Sequence, residues 1–104
     1  MKILMIPLLC SLLLGTTFKA TASDPCDRVQ QSASAIMKAR QTGVEAHVVV
    51  NLYRDGVTEG DFNIYMKIIM DAYRQMKYDT PLYQDKATKE FANKYYIMCW
   101  SYRV

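Results

Sequence analysis

The sequence is poor in histidine and cysteine, which often serve as catalytic bases, thiol nucleophiles and zinc ligands. It contains a single histidine, His47, and its three cysteines form no Cys-x-x-Cys pair. A nucleophile needs a base within reach, and a structural zinc site needs four nitrogen or sulfur ligands. The four glycines form no phosphate-binding loop. We therefore predict that the protein is not an enzyme and holds neither a cofactor nor a metal ion.

Long apolar runs are also missing. The most apolar stretch, residues 3–14, is shorter than the about 20 residues that a membrane-spanning helix needs. Lys2 precedes this stretch and an Ala-x-Ala sequence follows it at residues 20–22. This order is typical of a cleaved signal peptide. We expect residues 1–22 to be removed and residues 23–104 to form one domain.

The net charge of the chain is small once the leader is removed. Lys2 and Lys19 leave with it, so the mature domain is close to electroneutral. It has no basic stripe for nucleic acid and no polybasic cluster for an anionic membrane. We predict another protein as its partner, with self-association into a homo-oligomer left open, and neither nucleic acid nor a stable membrane anchor.

Export places the mature domain in the bacterial periplasm or outside the cell. A lipoprotein anchored through Cys10 is the alternative, although Leu9 stands where a small residue should precede the modified cysteine. Cys26 and Cys99 remain after cleavage, and two cysteines in an oxidising compartment predict a disulfide. Closing so long a loop stabilises a fold by about 4 kcal/mol in the chain-entropy model. Two free buried thiols are the other interpretation.

Helix signals dominate the mature chain. Asp24 with Pro25 and Thr80 with Pro81 have the cap-then-proline order of helix starts. Thr58 has the position of a third cap. Residues 44–53 fit helical spacing but also have high strand propensity, and no partner strand is visible. We favour a short helix here, which predicts an all-α bundle of three long helices and one short helix, closed by one disulfide.

Apolar spacing gives each long helix a predicted core face. On the third helix the face is Phe62, Tyr65, Ile69, Ala72, Tyr73 and Met76, and on the last it is Ala87, Phe91, Tyr95, Met98 and Tyr102. Asp85 with Lys89 and Glu90 with Lys94 are expected ion pairs. The disulfide makes the first and last helices antiparallel, and the short turn before Pro81 makes the last two antiparallel.

Tyrosine is the abundant aromatic residue, and it is favoured at protein interfaces. With the core face so placed, Asn93, Ile97 and Trp100 fall on another side of the last helix. Either the short helix packs over Ile97 and Trp100, or they form an exposed apolar patch; we expect burial. If exposed, these three residues are the candidate partner-binding surface.

Several stretches resemble small secreted proteins of proteobacteria and their phages. They are residues 36–44, 71–73 and 78–84, followed by Phe91, Tyr95 and Cys99. The resemblance covers most of the mature chain and implies an exported, helical, single-disulfide protein. It supplies no activity and no functional residues. It favours the helical interpretation of residues 44–53, although the triple valine there departs from the pattern.

Two functional hypotheses follow. The first is a non-enzymatic periplasmic interaction module, which would be an inhibitor, an immunity-type binder or a phage-derived modulator. The alternative is a periplasmic acid-stress chaperone, in which protonation of the ten carboxylates would leave uncompensated positive charge and loosen the fold.

Overall fold

A computed structural model describes residues 24–103, and this part of the chain is all-helical. The predicted leader 1–22, its cleavage site and Cys10 lie outside the described residues. Four helices follow one another: α1 Pro25–Gln41, α2 Ala46–Arg54, α3 Glu59–Arg74 and α4 Pro81–Arg103. The predicted set of three long helices and one short helix is confirmed. Residues 44–53 fall mainly in α2, so the strand interpretation was wrong.

Each long helix begins at its predicted cap. The Asp24 carboxylate accepts a hydrogen bond from the backbone N–H of Cys26 at 2.8 Å, and the Thr58 hydroxyl accepts one from Asp61 at 3.2 Å. Such caps satisfy backbone donors that have no partner within the helix. After α1, Gly43 adopts φ +89°, a left-handed conformation that glycine permits at low cost.

Helix α1 is the centre of the bundle and packs on α4, α3 and α2. The disulfide joins its start to the end of α4, and Gln41 at its end binds the backbone just before α4. These two helices are therefore antiparallel, as predicted. Arg40, one residue earlier, donates two hydrogen bonds to the Gln75 carbonyl just after α3. Helices α1 and α3 therefore end side by side and run in the same direction.

The core is a single cluster with α1 in the middle. Its buried members come from all four helices: Ala33, Ile36, Met37, Val49, Ile68, Ile69, Ala72 and Phe91. Burial of a large apolar side chain stabilises a fold by about 1.5–3 kcal/mol. The cluster lies in the half of the bundle that contains the ends of α1 and α3 and the middle of α4. The stability of the opposite half therefore depends more on other interactions.

The predicted disulfide between Cys26 and Cys99 supplies one of these interactions. Its Cα atoms lie 5.5 Å apart across a sequence separation of 73 residues. An ion pair between Arg103 and Asp24, 2.8 Å long, lies beside it. Together they hold the last turn of α4 against the first turn of α1.

A buried glutamine fixes the other end of the bundle. Gln41 donates to the Met76 carbonyl at 2.7 Å and accepts from the backbone N–H of Tyr78 at 2.8 Å. Its side chain is among the most buried in the described structure. Met76 and Tyr78 lie outside any helix, so the Gln41 amide supplies hydrogen-bond partners for two backbone groups that no helix satisfies.

Three predicted core residues are exposed. Met76 lies two residues beyond the end of α3, so the helical spacing that assigned it to the core face does not apply there. Met98 and Tyr102 lie on α4 as expected, but α3 does not cover them. Ile68, which the sequence pattern did not select, is buried instead.

We predict that Gln41→Met destabilises the domain by about 2 kcal/mol, because it leaves a backbone donor and acceptor without partners. Urea unfolding of the oxidised protein measures this. Gln84→Met is the matched control, since Gln84 also binds this connection through the Tyr78 carbonyl but is more exposed; its effect should stay below about 0.5 kcal/mol. Equal losses in the two variants would contradict the account.

Candidate functional site

The apolar stripe of α4 continues beyond the domain's own core. Phe91 is buried and Tyr95 is half-buried, and Met98 and Tyr102 follow at the same helical spacing. Tyr102 is nevertheless 87% exposed. The stripe loses its cover because α3 packs mainly on α1 and meets α4 chiefly at Asp71. A helix normally buries such a face, so the exposed end of the stripe is a surface without an intramolecular partner.

This uncovered stripe forms one wall of a groove of about 830 Å³. The opposite wall is the first half of α3, and the floor is the first turn of α1. Its main apolar lining residues are Val29, Ile64, Ile68, Tyr95, Met98 and Tyr102. Ile64 and Tyr102 are the exposed lips on the two walls. We call this site the groove.

One end of the groove is closed by a polar brace between α3 and α4. The Asp71 carboxylate forms an ion pair with Lys94 at 2.6 Å and accepts a hydrogen bond from the Tyr95 hydroxyl at 2.7 Å. Gln75 donates a third bond to the same carboxylate at 2.9 Å. The expected Glu90–Lys94 ion pair does not form, because Lys94 reaches Asp71 instead. The predicted Asp85–Lys89 pair is present at 3.0 Å.

The brace shifts the titration of both its acidic groups. Burial disfavours the charged form of Asp71, but the hydrogen bonds from Lys94, Tyr95 and Gln75 outweigh it and hold the pKa of Asp71 below its usual value. Burial, and then the bond to the Asp71 carboxylate, raise the pKa of Tyr95. Tyr95 therefore stays a neutral donor over the physiological range, and Asp71 stays an acceptor.

The other end of the groove is bounded by the disulfide region. Pro25, Cys99 and Arg103 line it there. The Arg103 guanidinium pairs with Asp24 and lies 4.6 Å from the centre of the Trp100 ring. The disulfide, the ion pair and this cation–π contact therefore position the last turn of α4, which carries Tyr102.

The sequence-predicted surface lies on the outside of α4. Asn93, Ile97 and Trp100 are all exposed, so the expected burial of Ile97 and Trp100 was wrong. The short helix α2 packs on α3 and α1 instead. The three residues are not part of the groove, and only Arg103 connects Trp100 to it. Whether they bind a partner stays a prediction.

Sequence reasoning found some of the groove residues but assigned them to the core, and it missed Ile64 and Ile68. Tyr65, Tyr95, Met98 and Tyr102 were placed on buried faces by their spacing, which is correct as a pattern. The exposure depends on where α3 lies relative to α4, and spacing within one helix carries no such information. The length of α4 was a signal for this exposure. Helix α4 has 23 residues and α3 has 16, so the end of α4 extends past α3.

The side chains that line the groove are mostly apolar, and the charged ones are few. The charged ones are Arg28, Lys67 and Arg103 and the single carboxylate of Asp61 at the rim. Across residues 24–103, no three His, Cys, Asp or Glu side chains come together in a group that could hold a metal ion. None of the four described helices combines the length and apolar character needed to cross a membrane.

Comparison with known proteins gives no match to a family model, a curated protein or a solved structure. The resemblance to small secreted proteins therefore stays a prediction, and a function has to be argued from the groove itself.

We predict that Asp71→Asn destabilises the domain by about 1.5 kcal/mol at neutral pH, the size of a hydrogen bond to a charged group. The folded-state pKa is lowered, so the stabilisation is complete above the unfolded value near 3.9 and is lost as the pH falls through the folded value. Since Asn resembles the protonated acid, the difference from wild type should vanish at strongly acidic pH.

Urea unfolding at a series of pH values checks this prediction. The control is Asp85→Asn, which removes an exposed ion pair with Lys89 and should cost little at any pH. A wild-type advantage over Asp71→Asn that persists in strong acid would show that the carboxylate charge is not what stabilises the brace.

Proposed function

We propose that the chain is an exported, non-enzymatic protein-interaction module of the bacterial periplasm that binds a short segment of another protein in the groove. An inhibitor, an immunity-type binder or a phage-derived modulator would act in this way. The supporting observation is the α4 stripe, whose last members Met98 and Tyr102 follow the spacing of core residues but are exposed. A bound segment would bury them as a further helix would.

The dimensions of the groove favour a short helical segment. The lining part of α4 runs from Tyr95 to Arg103, about 12 Å at 1.5 Å per residue. This length matches about two helical turns. Binding of an amphipathic helix in an apolar groove is a recurrent mode of recognition, with anchor residues at positions i, i+3 or i+4 and i+7. The brace at Asp71 limits the segment at one end.

The charge of the rim favours an acidic segment. Arg28, Lys67 and Arg103 line the groove together with Asp61, and Arg103 is already paired with Asp24. Lys67 makes no ion pair with any residue between 24 and 103. Complementary charge at the rim of an interface raises the association rate and selects among partners. We therefore expect carboxylates beside the apolar anchors of the bound segment.

The brace also bears on the alternative of an acid-stress chaperone. Its central carboxylate has a pKa below the usual value, so Asp71 stays ionised at neutral and mildly acidic pH. The groove is open without any acid-induced change. The open groove favours a binder that works at neutral pH over a chaperone that acid must activate.

We predict that Tyr102→Asp removes the partner from a crosslinked pull-down of the tagged protein out of its host's periplasm. The substituted side chain is almost fully exposed, so folding should be unaffected while a charge replaces an apolar lip of the groove. Leu82→Asp is the matched control, because Leu82 lies on α4 with 73% exposure but outside the groove.

The partner should be retained by the Leu82→Asp control and lost from Tyr102→Asp. A parallel Trp100→Ala sample tests the outer face of α4. If the partner is lost from Trp100→Ala but retained by Tyr102→Asp, binding belongs to the surface of Asn93, Ile97 and Trp100. That result would contradict the groove as the binding site. Capture of many proteins only at acidic pH would favour the chaperone.

A further inference from the structure

The two cysteines of the disulfide differ in how a molecule in solution can reach them. Cys26 is fully buried, with 0% exposure, and is not among the residues that line the groove. Cys99 is half-buried and lines the groove at the end away from the Asp71 brace. A reagent in solution therefore meets Cys99 from the groove, whereas the bundle shields Cys26 from it.

The two sulfur atoms also differ in how well their surroundings stabilise negative charge. Cys26 is the second residue of α1, and the start of a helix carries a partial positive charge. Cys99 lies near the end of α4, where the partial charge is negative. The Arg103 guanidinium donates a hydrogen bond to the Cys26 Sγ atom at 3.8 Å. A negative charge is therefore stabilised better on Cys26 than on Cys99.

One carboxylate opposes this stabilisation. The Asp24 side chain accepts a hydrogen bond from the backbone N–H of Cys26, so it lies close to the same residue. Its charge is balanced by Arg103, whose guanidinium forms an ion pair with it at 2.8 Å. Because Asp24 is paired in this way, the helix start and the contact from Arg103 decide which sulfur leaves more readily.

We propose that Cys99 is a site of S-thiolation, at which a low-molecular-weight thiol opens the disulfide and Cys26 is the leaving group. The attacking thiolate forms a new S–S bond with the Cys99 Sγ atom, and the bond between Cys99 and Cys26 breaks. The electron pair of the broken bond passes to Cys26, which leaves as a thiolate beside Arg103. The attacking sulfur is thereby oxidised and the Cys26 sulfur is reduced, with no other reactant.

The product carries the attached group inside the groove and has no covalent link between the start of α1 and the end of α4. The main core cluster lies in the other half of the bundle, so most of the fold should persist while the groove loses a wall. The assignment concerns the disulfide alone and does not depend on the proposed function. A protein segment in the groove would compete with the thiol for access to Cys99.

Peptide mapping of the oxidised protein after a short exposure to glutathione tests the assignment. Acid stops the reaction, a maleimide labels the free thiols at low pH, and mass spectrometry locates both groups. Glutathione should be on Cys99 and the maleimide on Cys26, with the reverse product about tenfold rarer at the earliest times. Early times are needed because the Cys26 thiolate afterwards attacks the new disulfide.

Three results would overturn the inference. They are glutathione mainly on Cys26, equal modification of the two cysteines, and a disulfide that reacts with glutathione only when urea unfolds the protein. The last result would show that the groove gives no access to Cys99 in the folded state.

Arg103→Gln separates stabilisation of the leaving thiolate from a purely structural role of Arg103. Loss of the charge beside Cys26 should slow thiolation about threefold or more, and Arg103→Lys should restore much of the rate. If Arg103 only held the end of α4 in place, the same substitution would loosen the junction and speed the reaction. Arg54→Gln is the control, since Arg54 lies over the Phe62 ring and should not affect the rate. An unchanged or faster rate in Arg103→Gln would contradict the proposed leaving group.

Discussion

The disulfide between Cys26 and Cys99 is the constraint on which the geometry of the groove depends. It fixes the last turn of α4 against the first turn of α1, at the end of the bundle away from the main cluster of buried side chains. The Asp24–Arg103 ion pair and the Trp100 ring add to the same junction. Without these links the end of α4 would have few apolar contacts to hold it, because α3 does not pack there. The disulfide thus acts as a structural wall of the groove as well as a source of stability.

The groove follows from how the two long outer helices pack on α1. Helix α3 runs beside α1 and contacts α4 chiefly through Asp71. Beyond this brace, α3 and α4 diverge and leave the apolar groove between them. Burial of its exposed lips would contribute favourable free energy that the isolated domain does not gain. This is the physical basis for a binding role, and it needs no reactive group.

Much of the fold could be predicted from local signals. Asp24, Pro25 and Thr58 set helix starts, Gly43 set a helix end, and export made a disulfide of Cys26 and Cys99 the expected outcome. These features are decided by a few neighbouring residues or by the compartment. Residues 44–53 were harder, since triple valine suits both strand and helix, and the absence of a partner strand decided the choice.

The candidate site could be predicted only in part, because it depends on the relation between helices. Tyr102 has the spacing of a core residue, and its exposure follows from the course of α3. Lys94 has Glu90 at the expected spacing on its own helix, yet it binds Asp71 of α3. Trp100 was expected beneath α2, but α2 packs elsewhere. In each case the pattern within one helix was read correctly, while the neighbouring helix determined the contact.

The most direct test of the central claim places a photocrosslinking side chain at Ile64 or at Met70 of the oxidised protein. The two residues lie on α3 with nearly equal exposure, 51% and 50%, but only Ile64 lines the groove. The account predicts crosslinks to a defined protein segment from position 64 and none from position 70, with mass spectrometry identifying the attached chain. Equal crosslinking from both positions, or crosslinks from position 70 alone, would contradict the groove as the binding surface.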